Sequence, residues 1–294
     1  MSQAVFRHPD IASPRHHVSR HQRPRLGALV QHTILIAASI IALFPLWFML
    51  WTALRTRDDY FRSPLGWPRS IHWENFVTAF EQNIGRWVLN SAIVTGGSVL
   101  LVTLISVPAA YAFVRLPFRG SDLLLKLFVF LMVIPPIVML LPLFALMTAL
   151  GRVNHFDAVI LAYAGLMFPF SVFMMVRYIE AIPHELYEAA FVEGASHLRI
   201  LWSIVVPLVG PALVTLAIVN ALWAWNELLI AVVMLQREES RTLQAGLALL
   251  KGKNTMDIPL VMAGATISAI PLLLLYLFGQ RVFMRGLLAG AVKE

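Results

Sequence analysis

Residues 188–194, which read Glu-Ala-Ala-Phe-Val-Glu-Gly, begin a polar break between two long apolar runs, and we call residues 183–207 the island. Pro183 suits the first position of a helix, where its missing N–H would have no partner anyway. Small and apolar residues then recur at helical spacing until Gly194, which ends that helix. Ser196 follows as a candidate N-cap. The island is therefore predicted to be a helix, a sharp turn and a second helix.

This arrangement is typical of a docking element. Glu185 and Glu188 lie three residues apart on one helix face, where they can pair with basic groups of a partner. Ala189 and Ala190 are small enough to let a partner's backbone approach. An ordinary loop helix is the alternative, because helix-glycine-helix turns are common.

Composition places the chain in a membrane. Of its 294 residues, 59% are hydrophobic and 13% charged, whereas about a quarter of the residues of soluble domains are charged. The net charge of +7 comes without basic runs interleaved with aromatics, so we expect no nucleic-acid partner. No cysteine is present, which excludes disulfides and thiolate metal sites.

Six stretches lack Lys, Arg, Asp and Glu and are near or above the roughly 20 residues that cross a bilayer. They are residues 26–54, 87–114, 127–151, 158–176, 200–226 and 258–280. Prolines in the last four predict kinks that a membrane bundle tolerates. The fold class is therefore all-α, a polytopic bundle of six transmembrane helices.

The distribution of basic residues predicts the orientation. With the N-terminus in the cytoplasm, thirteen of the 23 Lys and Arg residues lie inside. These are Arg7, Arg15, Arg20, Arg23, Arg25, Arg115, Arg119, Lys126, Arg177, Arg199, Arg281, Arg285 and Lys293. Both termini and the island are then cytoplasmic.

The chain divides into four predicted segments. Residues 1–25 form a disordered basic tail whose histidines lack ligand partners, so no metal site is expected. Residues 26–86 hold the first span and an aromatic external loop, whose aromatics suit interface anchoring or an external partner. Residues 87–280 form a membrane domain of five helices that includes the island, and residues 281–294 a cytoplasmic C-terminal tail. A second external loop, 237–257, is predicted to be polar and exposed.

No catalytic or cofactor motif emerges. Gly252-Lys253 is the nearest approach to a phosphate-binding loop, but Asn254 follows and Leu247 occupies the position of the first glycine. The chain is therefore not expected to hydrolyse ATP or to bind a cofactor.

The fifth span carries the candidate solute path. Asn220, Trp223 and Glu227 share a helical stripe, with Trp225 and Asn226 beside it. An ionisable group in a span faces a cavity or a partner by default. Amides, a carboxylate and flat indoles together suit a sugar. The alternative is that Glu227 is paired or solvated near the interface and that the tryptophans are belt anchors.

Asn90, at the start of the second span, is a weaker lining candidate. Single asparagines in spans often serve helix packing instead.

The island resembles the cytoplasmic EAA signature of the permease subunits of ABC importers. Glu188-Ala-Ala, Gly194, Ile204 and Pro207 match it, and Val206 stands where leucine is usual. Outside the tail, further phrases resemble the maltose-type G subunits of the carbohydrate importers. They are 87–91, 109–113, 118–120, Trp-Asn-Glu-Leu at 225–228 and the ending from residue 280.

The resemblance implies a type I importer. This subunit would pair with a second, different permease, two ATPases would dock on the island, and an external binding protein would deliver a sugar or polyol. Glu185, Glu188, Ala189, Ala190, Gly194 and Pro207 would then couple ATP hydrolysis to transport. An ABC permease for another solute, and a secondary transporter that uses Glu227 as an ion relay, remain the alternatives.

Overall fold

The structure is a computed structural model that describes residues 25–116, 118–250 and 257–291. Residues 1–24 of the predicted tail (1–25), residues 251–256 of the predicted second external loop (237–257) and residues 292–294 of the predicted C-terminal tail lie outside these ranges. The chain divides into two units, one up to Phe48 and one from Met49. Within the described ranges every regular element is a helix, so the all-α prediction is confirmed.

The first unit is described from residue 25 and consists of helix α1 (Arg25–Ala53), which continues a few residues into the second unit. The hydroxyls of Thr33 and Ser39 donate hydrogen bonds to the backbone carbonyls one turn earlier, at Leu29 and Leu35. Such bonds satisfy hydroxyls without a partner helix.

The second unit contains the remaining helices. They are α2 (Arg57–Arg62), α3 (Glu74–Glu81), α4 (Ile84–Arg115), α5 (Ser121–Leu131), α6 (Pro136–Ala149), α7 (Phe156–Glu180), α8 (His184–Val192), α9 (His197–Ile200), α10 (Val206–Leu208), α11 (Gly210–Asn226), α12 (Leu229–Met234), α13 (Leu243–Leu250) and α14 (Ile258–Ala291). A π-helical turn (Leu201–Val205) joins α9 to α10, and a 3-10 turn (Glu238–Ser240) precedes α13.

Helix α4 contributes residues to all three apolar clusters of this unit. These clusters succeed one another along it, at Trp87, then at Val94 and Val102, then at Val107 and Tyr111. Helix α7 contributes to the second and third of these clusters. At Gly97 the two helices approach so closely that an added Cβ would lie 2.8 Å from Cδ1 of Ile160. Small residues at such contacts are the usual means of helix packing in membranes.

Among the described residues, four helices are long and apolar enough to cross a membrane, and two bent pairs raise the number to six if each pair is one span. The third and fifth predicted spans are those bent pairs, and the kinks predicted in them are breaks between two helices. Helices α5 and α6 turn by 101° before Pro136, because proline cannot continue the hydrogen-bond ladder and forces its predecessor into extended backbone. The fifth span bends by 76° at Val209, between Pro207 and Pro211.

Two further boundaries differ from the sequence-based expectation. Helix α14 continues to Ala291, so the predicted tail 281–294 begins as helix. The segment 237–257, which was predicted to be a polar and exposed external loop, is not uniformly exposed, because α13 buries Leu243, Ala245 and Leu247. Its apolar residues pack on α4, where an added Cβ at Gly246 would meet the ring of Trp87.

Candidate functional site

The island has the predicted architecture, with a shifted start. Pro183 has extended backbone and precedes α8 instead of opening it. Gly194 has a φ of +78°, a conformation that glycine adopts without strain, and its N–H bonds the carbonyl of Phe191. Ser196 then caps α9 by accepting from the N–H of Arg199 at 3.4 Å. Helix, turn and helix are therefore present.

The end of the island is a π-helical turn. The N–H of Val206 bonds the carbonyl of Leu201. Pro207 lies next in the chain and has no N–H, so the regular ladder cannot pass through it and the turn widens. Pro207 itself is exposed.

One face of α8 is buried and the other is exposed. Tyr187 and Ala190 pack into the apolar cluster that α4 and α7 form at this end. Ala190 therefore fills this chain's own core, and the expectation that it opens a path for a partner was wrong. Ala189, Glu185 and Glu188 are exposed as expected.

The exposed side of the island combines acids with large apolar groups. The carboxylate of Glu188 lies 3.1 Å from Nδ1 of His184, and both side chains are 68% exposed. An exposed pair of this kind contributes at most about 1 kcal/mol, so Glu188 can exchange His184 for a basic group of a partner. Val192 is 88% exposed and Leu198 70%. Exposed apolar residues rimmed by charge mark protein contact surfaces.

Helix α4 anchors the island through residues that the sequence did not single out. The guanidinium carbon of Arg115 lies 3.4 Å from the centre of the Tyr187 ring, and its Nη2 donates to the carbonyl of Ile182 at 3.2 Å. The hydroxyl of Tyr111 lies 3.0 Å from Nδ1 of His197. The detectable signal was an arginine directly after a charge-free run.

The predicted solute path is not one surface. Helix α11 ends at Asn226, and Glu227 has extended backbone. The stripe that was to join Asn220, Trp223 and Glu227 therefore does not continue to Glu227. Asn226 is exposed, and its amide returns to the carbonyl of Leu222 within the same helix.

The other path candidates have partners inside the chain. Glu227 accepts from the hydroxyl of Tyr163 at 2.6 Å and from the N–H groups of Ile230 and Ala231, which makes it the cap of α12. Trp223 packs edge-on against Tyr163. Asn220 is buried and donates to the hydroxyl of Ser171 at 3.0 Å.

A cavity of about 830 Å³ lies between α4, α11 and α14. Of the predicted path residues only Trp225 lines it. Its wall is apolar except for the indole N–H of Trp225 and the hydroxyls of Thr95 and Thr103, and within the described residues these three groups have no hydrogen-bond partner. Buried polar atoms normally have partners, and these three atoms are themselves shielded, so the accessible wall of the cavity is apolar.

Known proteins share this organisation. Residues 102–288 match the family described as binding-protein-dependent transport system inner membrane component. The chain belongs to this family. It is 34% identical over 284 residues to the probable ABC transporter permease protein YurM of Bacillus subtilis (strain 168), which covers 95% of both chains.

Two further similarities concern sugar importers. The chain is 34% identical to the melibiose/raffinose/stachyose import permease protein MelC of Bacillus subtilis (strain 168), over 88% of this chain and 96% of that one. It superposes on a chain of a bacterial ABC transporter that imports the acidic polysaccharide alginate, with a TM-score of 0.74 and 25% identity, over 88% of this chain and 97% of that one. The fold is therefore that of an ABC importer permease.

Proposed function

We propose that this permease is one of two different membrane subunits of a carbohydrate importer, that two ATPase subunits dock on its island, and that an extracytoplasmic binding protein delivers the sugar. The island carries the proposal. It presents exposed acids beside exposed Val192 and Leu198, while Tyr187 and Ala190 fix α8 to the bundle. Because one face of α8 is fixed to the bundle and the other is exposed, a partner that moves the exposed face also moves the bundle.

A carbohydrate substrate is supported by the names of the relatives. A melibiose/raffinose/stachyose import permease and an ABC transporter that imports the acidic polysaccharide alginate both resemble this chain over most of its length. An ABC permease for another solute is the second candidate, because the island is indifferent to the cargo.

The secondary-transporter alternative loses its main residue. The carboxylate oxygens of Glu227 accept from Tyr163 and from two backbone N–H groups, which is the role of a helix cap. The family assignment also speaks against it, because the family is one of binding-protein-dependent transport components.

Affinity purification through a tag on this chain tests the assembly. We expect an ATP-hydrolysing subunit and a second permease to co-purify. Glu188→Lys should weaken ATPase recovery by charge repulsion, and Gly194→Pro should abolish uptake, while membrane insertion persists in both. The matched control is Glu74→Lys, an exposed acid of α3 far along the chain from the island. Normal recovery and uptake in both island variants would leave the ordinary loop helix as the better interpretation.

The substrate is tested by deleting the gene and screening growth and uptake over a carbohydrate panel. We expect loss of one sugar or polyol, or of a small related group. A defect confined to amino acids, peptides or inorganic ions would contradict the carbohydrate assignment and leave the ABC assembly intact.

A further inference from the structure

The first residues of α4 hold the loop that precedes α13. The indole N–H of Trp87 donates to the carbonyl of Glu238 at 3.1 Å. The amide of Asn90 donates to the carbonyls of Glu239 and Arg241 at 2.9 and 2.8 Å. Asn90 is only 4% exposed, and it donates both hydrogens of its side-chain amide to the loop. It is therefore placed to position the loop and not to donate to a sugar.

Ser91 also holds this segment. We call Trp87, Asn90 and Ser91 together the outer clamp. The hydroxyl of Ser91 accepts from the N–H of Leu243 at 2.8 Å, so the clamp extends to the first residue of α13. The bonds join residues about 150 positions apart in the sequence. They therefore fix a long-range connection that local sequence does not dictate.

The last residues of α4 hold the island in the same way. Arg115 bonds the carbonyl of Ile182, before α8, and covers the ring of Tyr187, within α8. Tyr111 contacts His197, which begins α9 after the turn at Gly194. We define Tyr111 and Arg115 as the inner clamp. It grips the island on both sides of its turn.

Helix α4 runs from one clamp to the other as a single helix that contains Pro108, which removes one hydrogen bond from its ladder. It has 32 residues, and at 1.5 Å per residue Asn90 and Arg115 are about 37 Å apart. Helix α7 packs on it through the clusters at Val94, Val102 and Val107. A helix braced in this way moves with its neighbour as one body, because packed interfaces do not deform continuously.

The inner clamp also contains a hydrogen-bond donor that the present position of the island leaves unused. Nε of Arg115 is buried and has no acceptor within the described residues. A buried charged donor without an acceptor is costly. A movement of the island that brings an acceptor to Nε would satisfy this donor.

We infer that α4 transmits the state of the external loop to the island, with Asn90 and Arg115 as positioning residues at its two ends. The inference rests on the proposed function, since it needs an ATPase at the island and a binding protein outside. Docking of the binding protein at the loop, and nucleotide binding by the ATPase subunits docked on the island, then bias the same rigid element. Coupling between two sites through a shared two-state element is what such linkage requires.

The first experiment measures ATP hydrolysis by the whole transporter, purified through a tag on this chain and reconstituted in liposomes, with and without its sugar-loaded binding protein. Asn90→Asp keeps the shape but points a carboxylate at two carbonyls. Arg115→Gln removes the charge. The stimulation ratio is the rate of ATP hydrolysis with the sugar-loaded binding protein divided by the rate without it. We expect each variant to lower this ratio by at least about fivefold, which is the lower end of usual coupling factors. Thr148→Ala, which removes an exposed hydroxyl bonded within α6, should leave it unchanged.

A matched pair at Tyr187 covers the case in which Arg115→Gln fails to assemble. Tyr187→Leu removes the ring that Arg115 covers and should lower the ratio. Tyr187→Phe keeps the ring and removes a hydroxyl that has no hydrogen-bond partner within the described residues, so it should behave as the unmodified protein. Equal ratios in all these variants would overturn the inference.

The second experiment follows the loop directly. Glu239→Cys gives this cysteine-free chain a single thiol for a spin label on an exposed side chain. Adding a non-hydrolysable ATP analogue should change the label's spectrum, and Asn90→Asp or Arg115→Gln should abolish that change. Persistence of the change in both variants would overturn the inference while the proposed function stands.

Two other outcomes are distinguishable. If Asn90→Asp alters the sugar concentration for half-maximal uptake and leaves the stimulation ratio intact, Asn90 is a solute ligand and the inference is wrong. If no ATPase co-purifies and the nucleotide analogue has no effect on the unmodified transporter, the proposed function is wrong and this inference falls with it.

Discussion

Arg55 is a large side chain that the structure buries completely. Its guanidinium donates to the carboxylate of Asp59 at 2.9 Å and to the carbonyls of Asp59, Ser63 and Pro64. Asn75 donates in turn to the carbonyl of Arg55. One cation therefore organises the segment between α1 and α3, because a buried charge is tolerated when its donors are satisfied.

We expect Arg55→Met to destabilise this segment by about 3 kcal/mol, since it leaves three carbonyls and a carboxylate without their donor. Thermal unfolding of the purified chain in detergent measures the loss. Arg69→Met is the control, because Arg69 is 73% exposed and 3.8 Å from Asp59, and exposed pairs contribute about 1 kcal/mol or less. Equal melting of the two variants would contradict the central role of Arg55.

The same pair predicts a dependence on pH. The hydrogen bond from Arg55, together with its charge, lowers the pKa of Asp59 below the usual 3.8. A depressed carboxyl pKa stabilises the folded state above the unfolded pKa, and the contribution is lost as the pH falls through the folded value. The difference in melting temperature between the unmodified chain and Asp59→Asn should therefore be constant near neutral pH and shrink below about pH 4. A difference that grows on acidification would contradict this.

At the scale of the element, the turn at Gly194 governs the island. Gly194→Ala places a Cβ at a φ of +78°, which costs about 1–2 kcal/mol and re-aims α8 against α9. We expect sugar uptake to fall several-fold while the protein still inserts. Gly151→Ala carries the same strain at a φ of +65° outside the island and serves as the control. Similar losses in both variants would mean that strain alone, and not the island, is responsible.

Glu227 offers a second test at this scale. Glu227→Ala removes the cap of α12 and the acceptor of Tyr163, so we expect it to lower stability by about 1–3 kcal/mol. Asn226→Ala removes an exposed amide and should change stability by less than about 0.5 kcal/mol. Melting curves separate the two. A stable Glu227→Ala protein with impaired uptake would restore Glu227 as a solute ligand.

These elements also show which structural features could be predicted from the sequence. The turn at Gly194 and the cap at Ser196 depend on local backbone chemistry and were predictable. The break before Pro136 was not, because a proline pair is compatible with either a kink or a turn until tertiary packing decides. The roles of Asn90 and Glu227 depend on partners 149 and 64 residues away, so residue type alone suggested solute ligands where the structure has hydrogen bonds within the chain.

At the scale of the whole molecule, the two ends of the second unit differ in chemistry. The end that carries the island exposes acids beside apolar residues and is gripped by Arg115. The opposite end carries the Arg55 segment and the loop held by Asn90. A transporter needs different partners on its two faces, and helix α4 has residues at both ends of the unit.

The orientation of these ends is the final prediction. The excess of Lys and Arg on the island side predicts that this side and both termini are cytoplasmic. In the cysteine-free chain, single cysteines at Ser2 and at the exposed Glu239 report on opposite faces. In intact cells an impermeant thiol reagent should label Glu239→Cys, whereas Ser2→Cys should react only after permeabilisation. Labelling of Ser2→Cys in intact cells would reverse the orientation, and it would place the island where no cytosolic ATPase can reach it.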